Sequence, residues 1–304
     1  MRYLQRLKNQ SLNFIAICFC CSTGAIARDV VDSTNARIQL VEEPSRIVTL
    51  APSLGELASD FAGSRLSRIV GVSEFSDYPP GLKKKPSIGP YHLFNIEKIV
   101  ALKPDLVLAT SDGNAKDEVL HLRELGLPVV VVRTETFEQI EESMRLVSKA
   151  MGNAAFGESM AKRFNEGLSR IRAHSDGLSQ KFGKKRILLQ LGDDPLVVVG
   201  SQSFLNVALT LLGGENIYSD SKVHYPRPSL EDVLHRNPDG IGVMPLDEKL
   251  GKFAEYASRW KRFSTLKAVQ LNQVRVSEGS EILRPTLRLL EGLSRLEKAI
   301  YGTY

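Results

Sequence analysis

The chain has 304 residues, a formal charge of +5 and only three cysteines, a length that suits two domains of ordinary size. No basic stripe with interleaved aromatics points to nucleic acid. Beyond Ala27 no apolar run approaches the ~20 residues of a membrane span.

Arg2, Arg6 and Lys8 precede a short apolar run from Leu12 to Cys21 and the small-residue end Ala25-Ile26-Ala27. This is the layout of a secretory signal peptide over residues 1–27, so the mature protein is expected to be exported. A lipid anchor at Cys20 or Cys21 is the competing reading, but Ile17-Cys18-Phe19 lacks the usual small pair. All three cysteines fall in this segment, so a hydrophobic core rather than a disulfide must hold the mature chain together. Three of the forty basic residues and no acidic ones lie there, leaving 37 against 35, a net charge of +2.

Residues 28–44 are polar and read as a loose lead-in. Short β-branched runs then alternate with helical stretches: strands at Arg46–Ala51, Ile69–Val72, Leu106–Ala109 and Val129–Val132, and helices at Leu54–Ala62, Asn95–Leu102, Asn114–Leu125 and Thr136–Met151. From Asn153 to Gly183 the apolar residues Phe156, Met160, Phe164, Leu168, Ile171, Leu178 and Phe182 recur at close to one per turn, which predicts one amphipathic helix roughly 45 Å long. Strands follow at Arg186–Leu191, Val197–Val199, Ile241–Met244 and Val274–Val276, with helices at Ser203–Leu212, after Ser229, at Lys252–Phe263 and at Pro285–Tyr301. Continuous apolar strands alternating with helices predict an α/β fold. It has two Rossmann-like lobes with mainly parallel sheets, at 45–152 and 184–304, joined by one long backbone helix at 153–183.

An internal repeat supports two matched lobes. Tyr91, Asn95, Glu97 and Pro104-Asp105 are matched in the same register by Tyr225, Ser229, Glu231 and Pro238-Asp239. Asn95 and Ser229 suit helix N-caps, which puts each Glu at the second helical position. The helix dipole alone favours a carboxylate there. Matched carboxylates on one outer surface would equally suit a two-fold symmetric partner. The two tyrosines, with Phe75, either line a cleft between the lobes or act as local staples.

No G-x-S-x-G elbow, phosphate loop, dinucleotide fingerprint or H-E-x-x-H stretch is present, so no catalytic residue is assigned. His121, His174 and His235 fall in predicted helices and are expected to be solvated. His92 and His224 adjoin the repeat tyrosines, but two imidazoles are too few for a closed zinc site and no metal site is assigned. Asp193-Asp194 reads as a turn, with a cleft-facing carboxylate pair as the alternative.

The stretches Arg46-Ile-Val-Thr-Leu-Ala-Pro-Ser53, Gly71-Val-Ser-Glu-Phe-Ser-Asp-Tyr-Pro-Pro80, Asn95-Ile-Glu-Lys-Ile-Val-Ala-Leu-Lys-Pro-Asp105 and Gly213-Gly-Glu-Asn-Ile217 resemble the periplasmic substrate-binding proteins of ABC importers. The likeness is to the helical-backbone subfamily that handles cobalamin, haem and ferric siderophores, its cobalamin binders foremost. The resemblance implies a non-enzymatic receptor, without a cofactor of its own, whose transported ligand is cobalamin or a related metal chelate. A receptor for haem or a ferric siderophore, or an exported α/β enzyme, are the alternatives. It implies that Phe75, Tyr91, Tyr225 and Arg284 contact the ligand. Glu97 and Glu231 would then dock arginines of an ABC permease dimer in the inner membrane. It also sets Thr110 and Glu281 where cobalamin binders have Trp, and leaves Trp260 away from the cleft. A single stiff connecting helix predicts small closure motions on binding.

Overall fold

The computed structural model describes residues 27–244, 253–277 and 279–302. The proposed signal peptide, apart from Ala27, lies outside the described residues. The lead-in is not loose: β1 (Ala27–Val31) and β2 (Arg37–Val41) form an antiparallel hairpin that buries Val30, Ile38 and Leu40. Its anchor is the buried Asp32, whose carboxylate accepts from the Thr34, Ala36 and Val131 amides and pairs with Arg123. Burial acts to raise this carboxyl, but the bonds from Thr34, Val131 and Ala36 outweigh it and hold the pKa low.

Two sheets follow. The first has the order β4 (Ile69–Val72), β3 (Ile47–Thr49), β5 (Leu106–Thr110), β6 (Val129–Val132), all parallel. The second has the order β11 (Val274–Val276), β10 (Gly240–Val243), β7 (Lys185–Asp193), β8 (Leu196–Val198), with β9 (Gly214–Asn216) pairing the start of β7. The β7–β8 pair is an antiparallel hairpin, so this sheet is mixed. Asp194 sits at its tip and Asp193 at its last pair, which makes Asp193-Asp194 the turn of the sequence reading.

Alternation along the strands explains why their sequences are apolar throughout. Leu106 and Leu108 enter one core while Val107 and Ala109 enter another; Ile187, Leu189 and Leu191 enter the first core while Leu188 enters a third. The first core is continuous across both lobes, from Val30 through Phe164 to Ile300, and each lobe adds a separate outer core.

The connector is α5 (Ala154–Phe182), capped by the Asn153 side chain. It packs against α4 (Phe137–Ala150), the last helix of the first lobe, and α10 (Leu289–Tyr301), the last of the second. Met160, Phe164, Leu168 and Leu178 of the predicted stripe are buried, whereas Phe156 and Phe182 at its ends stay partly open. Gly167 lets the helices close up: a Cβ there would lie 2.3 Å from Leu290 Cδ1. Phe137 of α4 meets Phe204 at the start of α6 (Phe204–Leu211) edge-on at 5.4 Å, another apolar tie between the lobes. The last helix begins at Leu289 rather than Pro285, because Thr286 turns its hydroxyl onto Glu56.

Candidate functional site

The repeat in the sequence is a repeat in space. Asn95 caps α2 (Ile96–Ala101) by accepting from Lys98 N at 2.8 Å, and Ser229 caps α7 (Leu230–Arg236) by accepting from Asp232 N at 3.2 Å. The aspartates of the two Pro-Asp pairs have the same task. Asp105 accepts from Arg46 N at 2.7 Å and Asp239 from Arg186 N at 2.9 Å, each fixing the chain at the start of its lobe's first core strand. Glu97 and Glu231 are both exposed at the second position of their helices, and neither is ion-paired with another described residue.

Each repeat tyrosine lies on a loop that a glycine lets approach the sheet end. The Tyr91 ring covers Gly113, where a Cβ would come within 2.4 Å of the ring, and the Asn114 amide donates to Tyr91 O at 2.6 Å and Leu50 O at 3.0 Å. In the second lobe a Cβ on Gly200 would lie 1.9 Å from Val223 O, and Gly200 N donates to His224 O at 2.9 Å. Sequence reasoning passed over Gly113 and Gly200 and read Asn114 only as the start of a helix, which begins at Lys116; a glycine shortly after each strand's C-terminal end was the available signal.

The loops carrying the two tyrosines face one another. The Tyr225 phenol is pushed up, first by burial, then by the fields of Tyr91 and Asp112 from the other lobe, while a hydrogen bond with Ser203 pulls it down. Yet the residue keeps 47 % of its surface open and Tyr91 keeps 42 %.

Phe75 and Arg284 form a second cross-lobe pair. Phe75 stands at φ 64°, a left-handed conformation that costs a bulky residue about 1–2 kcal/mol. Its carbonyl accepts from Arg284 Nη2 at 3.2 Å, and the same guanidinium lies 3.9 Å from Asp77. Beside it, Arg288 stacks on the Tyr78 ring at 3.6 Å and pairs with Glu56 on α1 (Pro52–Ala62) at 3.2 Å and with Glu281 at 3.0 Å. Glu281 is buried in this pairing, with Arg295 on its other oxygen at 3.2 Å, and Thr110 is buried at the end of β5.

A model of the periplasmic binding protein family matches residues 48–279, more than half of the chain. The chain belongs to that family. A vitamin B12-binding protein of Salmonella typhimurium is 36 % identical over 227 residues, 75 % of this chain and 81 % of that protein. The vitamin B12-binding protein of Vibrio cholerae serotype O1 is 32 % identical over 252 residues, covering 83 % and 87 %. The solved structure of the periplasmic vitamin B12-binding protein BtuF of Vibrio cholerae matches with a TM-score of 0.74 at 30 % identity, over 84 % of this chain and 96 % of that one. A periplasmic haem-binding protein from Pseudomonas aeruginosa gives a TM-score of 0.71 at 21 % identity, over 86 % and 94 %, a likeness of fold alone. The two-lobed α/β architecture joined by a helix is therefore that of the family.

Other candidates in this periplasmic binding protein are accounted for by packing. Trp260, on α8 (Phe253–Trp260), is buried and donates to Gln190 Oε1 at 2.7 Å, which fixes the second lobe's core. His174 is not simply solvated: its Nδ1 lies 2.8 Å from Glu297 Oε2, because α5 and α10 run side by side. His92 and His224 are exposed beside their tyrosines, with ring centroids 5.3 and 6.2 Å apart. Among the described residues no three His, Cys, Asp or Glu converge as a metal set, and no helix is long and apolar enough to cross a membrane. Cavities of about 480 and 370 Å³ lie along α4 and α5, and none of the four candidate ligand residues lines either.

One titration near this network is testable. Burial raises the Asp60 carboxyl to about 6, against the pull of Arg163 and Arg288. A folded pKa above the unfolded one means stability present below pH 4 that is lost as pH rises through about 6. Asp60→Asn is therefore expected to stabilise the protein at pH 8 by on the order of 2 kcal/mol, and by almost nothing at pH 4. Melting temperatures at the two pH values check this.

Proposed function

We propose that this protein is a non-enzymatic periplasmic receptor that takes cobalamin or a related corrinoid between its lobes and delivers it to an ABC permease. The observation that carries the reading is the pair Tyr91 and Tyr225, open to solvent at equivalent places in the two lobes, each on a loop drawn to the end of its sheet. Two such rings offer the broad apolar faces that a flat macrocycle needs, and Phe75 adds a third. The 36 % identity to a vitamin B12-binding protein supports a corrinoid over other chelates. Arg284 and Asp112 supply polar anchors for a ligand bearing amide side chains. Glu97 and Glu231 are the docking carboxylates for the permease. We take 45–152 and 184–304 as the lobes and 153–183 as their spine. The core shared across the lobes keeps closure small, so the ligand meets a largely preformed site.

The test is a competition. Purified protein starting at Arg28 is mixed with equimolar cyanocobalamin, haemin and ferrichrome and then desalted. Retention of the corrinoid absorption band alone is the expected result. Retention of the haem band instead would overturn the corrinoid reading and turn attention to His92 and His224 as iron ligands.

A further inference from the structure

Residues 281–288 of the second lobe reach across to the loop that carries Phe75. We infer that Arg288 is a positioning residue for the ligand cleft: it staples the 73–79 loop of the first lobe to the second and so sets where the Phe75 ring stands. This deepens the receptor reading above and rests on it for the ligand, though not for the staple itself.

The geometry is that of a clasp with both jaws buried. Arg288 Nη1 meets Glu56 Oε2 at 3.2 Å, and Nη2 meets Glu281 Oε1 at 3.0 Å. The Glu56 side chain is 2 % exposed and that of Glu281 10 %. Thr286 donates to the second oxygen of Glu56 at 2.9 Å. With both edges of the guanidinium engaged, its flat face lies on the Tyr78 ring at 3.6 Å. A lysine could supply the charge but neither the fork nor the stacking plane. Tyr78 is three residues beyond Phe75, and Arg284, four residues before Arg288, holds the Phe75 carbonyl. The loop is thus gripped twice from the other lobe, at a residue whose backbone is held at positive φ. A pair that served only global stability would have no need to reach the loop that presents Phe75.

Removing Arg288 alone would leave the Glu56 charge buried and could unfold the protein, so the test uses the neutral pair Glu56→Gln with Arg288→Met. Hydrogen exchange of the ligand-free protein is measured first. The expected result is about tenfold faster exchange across residues 73–79, with β5 and β6 unchanged. The double variant should also bind cyanocobalamin about tenfold more weakly, and adding Phe75→Ala should weaken it no further than Phe75→Ala alone, because both changes act through one ring. Unaltered exchange in the loop, or affinity losses that multiply, would overturn the inference. If the wild-type protein does not bind cyanocobalamin, the receptor reading fails and the exchange measurement alone decides the clasp.

Discussion

Glu97→Ala with Glu231→Ala is expected to leave cyanocobalamin affinity within about twofold of wild type while lowering corrinoid uptake by cells at least tenfold. Both carboxylates are exposed and unpaired with any described residue, on the first turns of α2 and α7. Each helix keeps its cap, from Asn95 or Ser229, so the loss to folding is only the dipole contribution, about 0.3–1 kcal/mol per site. The two sites sit at equivalent points of a repeated unit, which suits a partner that is itself two-fold symmetric. Each lost charge pair at such an interface removes on the order of 2 kcal/mol, and losing both compounds to far more than tenfold. The checks are calorimetry for binding and accumulation of labelled corrinoid for transport. A loss of ligand affinity in either single variant would place that glutamate in the cleft and end the docking account.

The second large effect is expected in the cleft. Tyr225→Ala and Tyr91→Ala should each weaken cyanocobalamin binding by roughly tenfold to a hundredfold, equivalent to about 1.4–2.8 kcal/mol. Phenylalanine at either position should cost little, because the ring face rather than the hydroxyl supplies the contact. Burial first, with Tyr91 and Asp112, holds the Tyr225 phenol above its ordinary value despite the Ser203 hydrogen bond, so it is neutral at pH 9. Binding should accordingly be flat between pH 6 and pH 9. Measured affinities that fall steeply toward pH 9, or alanine variants that bind as wild type does, would remove the tyrosines from the site.

Much of this was legible in the sequence because it rests on local patterns. The Val129–Val132 run is β6, Asn95 and Ser229 cap the helices they were expected to cap, and the long apolar stripe is α5. The Tyr-to-Asp repeat survived because its parts act over a few residues: a cap, a dipole and an aspartate at a strand end. What escaped depends on distant partners. The β1–β2 hairpin is two five-residue strands interrupted by charges, and Asp32 is explained only by Val131 and Arg123 far along the chain. Glu281 looked like a cleft position missing its Trp, yet it is buried against Arg288 and Arg295. Arg288 and Glu56 lie 232 positions apart, and no periodicity links them. Arg284, assigned to the ligand by resemblance, also holds the Phe75 carbonyl, a contact visible only in three dimensions.

The central claim is that a corrinoid binds between these lobes. A calorimetric titration of the purified chain from Arg28 with cyanocobalamin tests it most directly. The predicted result is a one-to-one isotherm with a submicromolar dissociation constant. Absence of heat at two well-separated temperatures would contradict it, leaving a periplasmic binding protein whose ligand is a different chelate.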